Sequence, residues 1–157
     1  MSYIRKKTIA GLKQGDSFTV SRTFTEQDTT TFANISRDYN PVHFDDRFAQ
    51  AKNFHGKISH GLLVASILTE IGGEIGWLAS EMNFRFMRPV YFGDTIKCSF
   101  TITELGERNR AKAEAVFKNQ HDEIVIEANV AGIIPNASER RVMEIMMTEE
   151  DAANESG

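Results

Sequence analysis

The sequence predicts an α+β fold in which one long apolar helix is wrapped by an antiparallel sheet. Three observations lead there. From about residue 80 onward, apolar and polar residues alternate with period two: Met82, Phe84, Phe86; Ile96, Cys98, Phe100, Ile102; Ala111, Ala113, Ala115, Phe117; Ile124, Ile126, Ala128, Val130. The stretches between these runs (Phe92-Gly93-Asp94, Gly106 to Asn109, Asn119 to Asp122) are too short for crossover helices, so neighbouring strands run antiparallel as a meander. From Gly61 to about Trp77, apolar residues surround nearly the whole helix circumference, and a helix of that kind belongs inside the curve of the sheet.

The remaining elements follow in chain order. Ser17 to Ser21 reads as an opening strand. Thr25-x-x-Asp28 is a capping-box variant that opens a helix running to about Ser36, with Phe32 and Ile35 facing inward. Pro41 disfavours helical geometry at Asn40, so that helix stops near Arg37-Asp38 and a short one restarts at Asp45 or Asp46. The loop between them is forced. After Pro135 the pattern is lost, which makes residues 1–135 one domain and 136–157 a C-terminal extension with its last ten or so residues frayed.

Composition narrows the function classes. The chain has 157 residues with a net charge of −4, and four acids (Glu149, Glu150, Asp151, Glu155) lie at the end, leaving the body balanced at 18 cations against 18 anions. No polyanion-binding character follows from that, so no nucleic-acid partner is expected. Cys98 is the lone cysteine and lies on the apolar face of its strand, which excludes an intrachain disulfide and favours an inert core thiol. A reducing, cytoplasmic setting is the expectation. The run Gly61 to Leu68 is far shorter than the ~20 residues of a membrane span, and no signal peptide is read at the N-terminus.

Two clusters carry chemistry. Asp38-Tyr39-Asn40-Pro41-Val42-His43 places a carboxylate and an imidazole on either side of a stiff proline, in backbone able to turn both toward one point. A water held by both could lose a proton to one while the other handles a second. Each residue also has a plainer use, the Asp as a cap and the Asn-Pro as a turn. The second cluster, Phe54 to Gly61, leads into the apolar helix; Gly61 at its N-terminus offers a free N–H and close backbone approach for a ligand carbonyl, or is needed only for a tight turn. Asp38, His43, His55 and His60 are potential metal ligands, but no spacing such as HExxH joins them, and no metal is assigned.

Taken together, Phe32-Ala33-x-Ile35-Ser36-x-Asp38-x-Asn40-Pro41-Val42-His43-x-Asp45, Gly56-x-Ile58-Ser59-His60-Gly61-Leu62-Leu63 and Phe84-x-Phe86-x-Arg88-Pro89-Val90-x-x-Gly93-Asp94 resemble the MaoC-like dehydratase family, in particular its (R)-specific enoyl-CoA hydratases. The resemblance covers about residues 15–133. It implies a hot-dog fold, usually dimeric, with the active site near the subunit interface. It also implies that Asp38 and His43 are the catalytic pair, that the Gly61 N–H receives the thioester carbonyl, and that Asn40 and Ser59 support the hydrogen-bond network. An acyl-CoA thioester is then the substrate, with an acyl carrier protein as a further carrier, a homodimer as the assembly, and neither metal nor redox cofactor, coenzyme A being part of the substrate. Arg85, Arg88 and Lys97 are cations that could meet coenzyme A phosphates. Two alternatives keep the same fold: a thioesterase, for which the central helix offers only Glu70 at its third turn, and a non-catalytic acyl-CoA binding module.

Overall fold

The computed structural model describes residues 2–155. The elements, in chain order, are α1 (Tyr3–Ala10), β1 (Ser17–Thr23), α2 (Glu26–Ser36), α3 (Asp46–Ala51), α4 (Gly61–Ala65), α5 (Ile67–Ile75), β2 (Leu78–Phe86), β3 (Thr95–Leu105), β4 (Arg110–Lys118), β5 (Ile124–Ile133) and α6 (Ala137–Glu155). A 3-10 turn at Pro41–His43 joins α2 to α3. No helix among the described residues is long and apolar enough to cross a membrane.

The five strands form one antiparallel sheet in the order β1-β3-β4-β5-β2. β3, β4 and β5 form the expected meander, but β2 does not join it beside β3. It lies at the far edge against β5, and residues 87–94 carry the chain across to β3. Part of that connection is spoken for: Val125 accepts from Met87 N–H, Val90 accepts from Ser59 N–H, and Tyr91 bridges to Ile58, so it cannot fold back as a hairpin.

One row of the inner face runs through the register Phe18↔Phe100, Phe100↔Ala115, Ala115↔Ala128 and Ala128↔Phe84. Its centre is alanine, with Ala115 and Ala128 both buried, while α5 lies against β1 and β3. Ile67, Leu68, Ile71 and Ile75 of that helix are buried with Ile96, Phe100 and Phe117 in a single cluster. The central helix breaks at Ser66, whose hydroxyl donates to the Leu63 carbonyl at 2.6 Å, and Gly76 closes it with a left-handed φ of 76°. Its apolar coat has a gap: Leu62 is 60% exposed. Trp77 lies beyond the helix end, edge-on to Phe100 at 5.6 Å. Gly132 makes room for it, because a Cβ there would stand 2.2 Å from the indole nitrogen.

Other expectations change at the termini and at α2. The Thr25–Asp28 capping box forms with both hydrogen bonds, and α2 ends at Ser36. Phe32 is half-buried, whereas Ile35 points outward at 80% exposure, on the side of the helix away from the buried Ala33 and Thr29. Near β5 a register shift between Phe117 and Lys118 turns Val125 inward beside Ile126, which strict alternation misses. α1 is an element that no periodic pattern in the sequence announces. Ser2 caps it, and Arg5 donates to the Glu74 and Gly73 carbonyls, so α1 closes the C-terminal end of α5. The stretch from Glu149 expected as a frayed tail continues α6 as far as Glu155; Ser156 and Gly157 lie outside the described residues. Met143 and Met147 of that helix are half-buried, while Met146 stands 48% exposed.

Candidate active site

The loop after α2 is built by local polar groups. Arg37 adopts a left-handed φ of 64° and ends the helix. Asp38 N–H then donates to the Ser36 hydroxyl, Asn40 N–H to Asp38 Oδ1 at 3.1 Å, and Val42 N–H to Asn40 Oδ1 at 3.2 Å. These side chain to backbone turns replace the helix ladder that Pro41 forbids. They use up one carboxylate oxygen of Asp38 and leave Oδ2 free to face the interior. Asn40 braces the turn that carries His43.

His43 is 7% exposed. Its Nδ1 lies 2.8 Å from the Ile58 carbonyl, which can only accept, so Nδ1 carries hydrogen and Nε2 bears the lone pair when the ring is neutral. That Nε2 is 3.9 Å from Asp38 Oδ2. The gap is too long for a direct hydrogen bond and suits two groups sharing one water. Burial pushes the His43 pKa below its ordinary value, helped by the neighbouring His60, while the Ile58 carbonyl and Asp38 oppose the shift. His43 is therefore neutral at pH 7 and able to take a proton. Asp38 is half-exposed at 50%, the open side of the pair.

Gly61 is the first residue of α4, and its N–H lies outside the helix's own ladder. The ring of Phe86 packs over it so closely that a Cβ would come within 2.7 Å. Asp38, His43, Ser59, His60 and Gly61 all line one cavity of about 700 Å³, within the ~300–1,000 Å³ usual for ligand sites. Phe32, Phe54, Leu62 and Phe86 give it an apolar wall. The Ser59 hydroxyl is buried there without a hydrogen-bond partner, so it does not reach the Asp38–His43 pair.

Of the other candidates, only Arg88 borders this cavity. His55 is exposed and packs on Tyr91. Glu70 is paired with Arg22 at the surface and does not line the cavity, so the helix acid a thioesterase would need is not in place. Arg85 pairs with Glu127, while Arg88 borders the cavity with its guanidinium donating to the Ile124 carbonyl. Lys97 is exposed between the inward-facing Ile96 and Cys98. Burial pushes the Cys98 thiol up to about 12, which keeps it inert as expected.

His60 is the residue that sequence reasoning left unassigned. It is 2% exposed, its ring stacks on His43 at 3.8 Å, and its Nε2 lies 2.9 Å from the Asp38 carbonyl. Its place directly before Gly61, ahead of an apolar helix, was the available signal. Donor atoms of Asp38, His43 and His60 lie within 4.8 Å of one another, a spacing a metal could use. The contact to the carbonyl argues against that use: an Nε2 that donates has no lone pair for an ion.

The family model described as MaoC like domain matches residues 10–125. The chain belongs to that family. Among curated relatives, a mitochondrial 3-hydroxyacyl-[acyl-carrier-protein] dehydratase of Arabidopsis thaliana is 31% identical over 86% of this chain and 84% of its own length. An (R)-specific enoyl-CoA hydratase of Rhodospirillum rubrum is 28% identical over 79% of this chain and 89% of its own. Among solved structures, the (R)-hydratase from A. caviae superposes with a TM-score of 0.75 at 26% identity, covering 80% of this chain and 98% of that one. The fold of this MaoC-like protein is accordingly the hot-dog fold, and the chain is a hydro-lyase of the dehydratase and hydratase kind.

Proposed function

We propose that this MaoC-like protein is an (R)-specific enoyl-CoA hydratase, adding water to a trans-2-enoyl thioester and, in reverse, dehydrating the (R)-3-hydroxyacyl thioester. The observation that carries the reading is the pair Asp38 Oδ2 and His43 Nε2, 3.9 Å apart and lining the same apolar cavity as Gly61. Conjugation with the thioester makes C3 electrophilic. Water held between Asp38 and His43 attacks C3 and gives up one proton to the pair; electrons move to the thioester oxygen, where the Gly61 N–H meets the growing charge. The carbonyl re-forms as C2 takes a proton from the same face. One water is consumed, nothing is oxidised or reduced, and neither metal nor redox cofactor is required.

The carrier we propose is coenzyme A; a relative named as an acyl-carrier-protein dehydratase makes the carrier protein the second candidate. The assembly we propose is a homodimer. β2 is an edge strand with Leu78 at 73%, Met82 at 43% and Phe86 at 53% exposure, and pairing with a second copy would cover both its backbone edge and these side chains.

The test is loss of the enoyl chromophore of crotonyl-CoA, with product handedness read by a stereospecific dehydrogenase. Asp38→Asn and His43→Ala are each expected to lower the rate by about 10²–10⁴-fold. Release of free coenzyme A without hydration would make the protein a thioesterase, and a folded protein that binds but converts no enoyl thioester would make it a binding module.

A further inference from the structure

His60 enters no step of the proposed reaction, yet it touches both members of the catalytic pair. Its Nε2 is 2.9 Å from the carbonyl oxygen of Asp38, and its ring lies on that of His43 with centroids 3.8 Å apart and planes inclined by 34°. Phe32 packs against it in turn, 5.0 Å away. The Asp38 carbonyl falls after the left-handed Arg37 and before the 3-10 turn, in backbone with no helix or strand ladder to satisfy it, so a side-chain donor is what holds that peptide in place.

We propose that His60 is a positioning residue: through its Nε2–H on the Asp38 carbonyl and its face on the His43 ring, it sets the separation of the two groups that hold the water. This rests on the hydratase reading. Asp38 is on a half-exposed loop and His43 on a buried turn, and among the described residues His60 is the side chain recorded in contact with both. Without its hydrogen bond the Asp38 turn can swing outward, and a misplacement of ~1 Å at reacting groups costs on the order of 100-fold in rate.

Two variants separate the contacts. His60→Phe keeps a ring against His43 but has no donor; His60→Gln keeps an N–H donor of similar reach but no ring. Expected is a fall in kcat of about 100-fold for His60→Phe with KM within about threefold of the original, and recovery of at least about tenfold of that loss in His60→Gln. Equal losses in the two variants, or an active His60→Phe, would overturn the proposal. A second readout needs neither turnover nor a folded variant: nitrogen NMR of histidine-labelled protein should find hydrogen on Nε2 of His60, and a bare Nε2 would sink the inference outright. Failure of the reaction itself looks different, as wild-type protein that hydrates no enoyl thioester while the Nε2 signal still decides the contact.

Discussion

β5 and β2 lie side by side in one sheet and carry the same alternation of apolar and polar residues, but only one of them hides its apolar side chains. Ala128 and Val130 of β5 are 3% and 5% exposed, while Met82 and Phe86 of β2 are 43% and 53% exposed. β5 has a strand on each side; β2 has a strand on one side only. Period-two alternation therefore reports which face a residue is on, and neighbours decide whether that face is covered. The same contrast divides the candidate site, where His43 sits on the packed side and Asp38 on the open one.

The strongest way to break the comparison is to remove packing on each side of it. Ile71→Ala, at a fully buried position, is expected to cost about 2–5 kcal/mol of unfolding free energy by denaturant titration, because a cavity stays behind. Gly61→Ala probes where the two regions meet. A Cβ there must push the exposed Phe86 ring aside, and alanine is the better helix former, so stability should stay within about 1 kcal/mol while activity falls as the ring is displaced over the thioester site. Unchanged kcat/KM would show that Phe86 is not part of that wall.

The packed side also has a pH signature. Burial lowers the His43 pKa, so the folded state resists protonation more than the unfolded chain does. Activity that needs neutral His43 should persist below pH ~6.5 and be lost only as pH falls through the lowered value, and the group's share of stability declines over that same acid window. A kcat/KM limb at or above the ordinary histidine value would contradict the burial argument. The smallest stability effect belongs to the open edge: Met82→Lys should leave unfolding of the single chain within about 0.5 kcal/mol yet weaken pairing between copies, seen as a shift toward monomer by light scattering. A loss as large as that of Ile71→Ala would mean that β2 is packed within its own chain.

Much of this was legible because the physics is local. The Thr25–Asp28 cap, the stop before Pro41, the shared face of Ile96, Cys98, Phe100 and Ile102, and the turn that carries Asp38 and His43 all depend on residues a few positions apart. Ile35 was misread because an apolar residue at helical spacing need not face the core when the helix touches the body along a narrow stripe. α1 was missed because its support is Arg5 on the end of a helix 68 residues away, a contact no pattern in its own eight residues announces.

The sequence by itself determined the alternating faces, the capped helices and the order Asp38, His43, Gly61 along the chain, since these follow from periodicity, proline geometry and side chain to backbone hydrogen bonds. Only the tertiary structure decided that β2 lies beside β5, that Phe86 closes over Gly61, and that His60 contacts both Asp38 and His43. Those contacts join segments whose separation along the chain is arbitrary, and their energies come from packing and burial that exist only once the sheet has closed around the central helix.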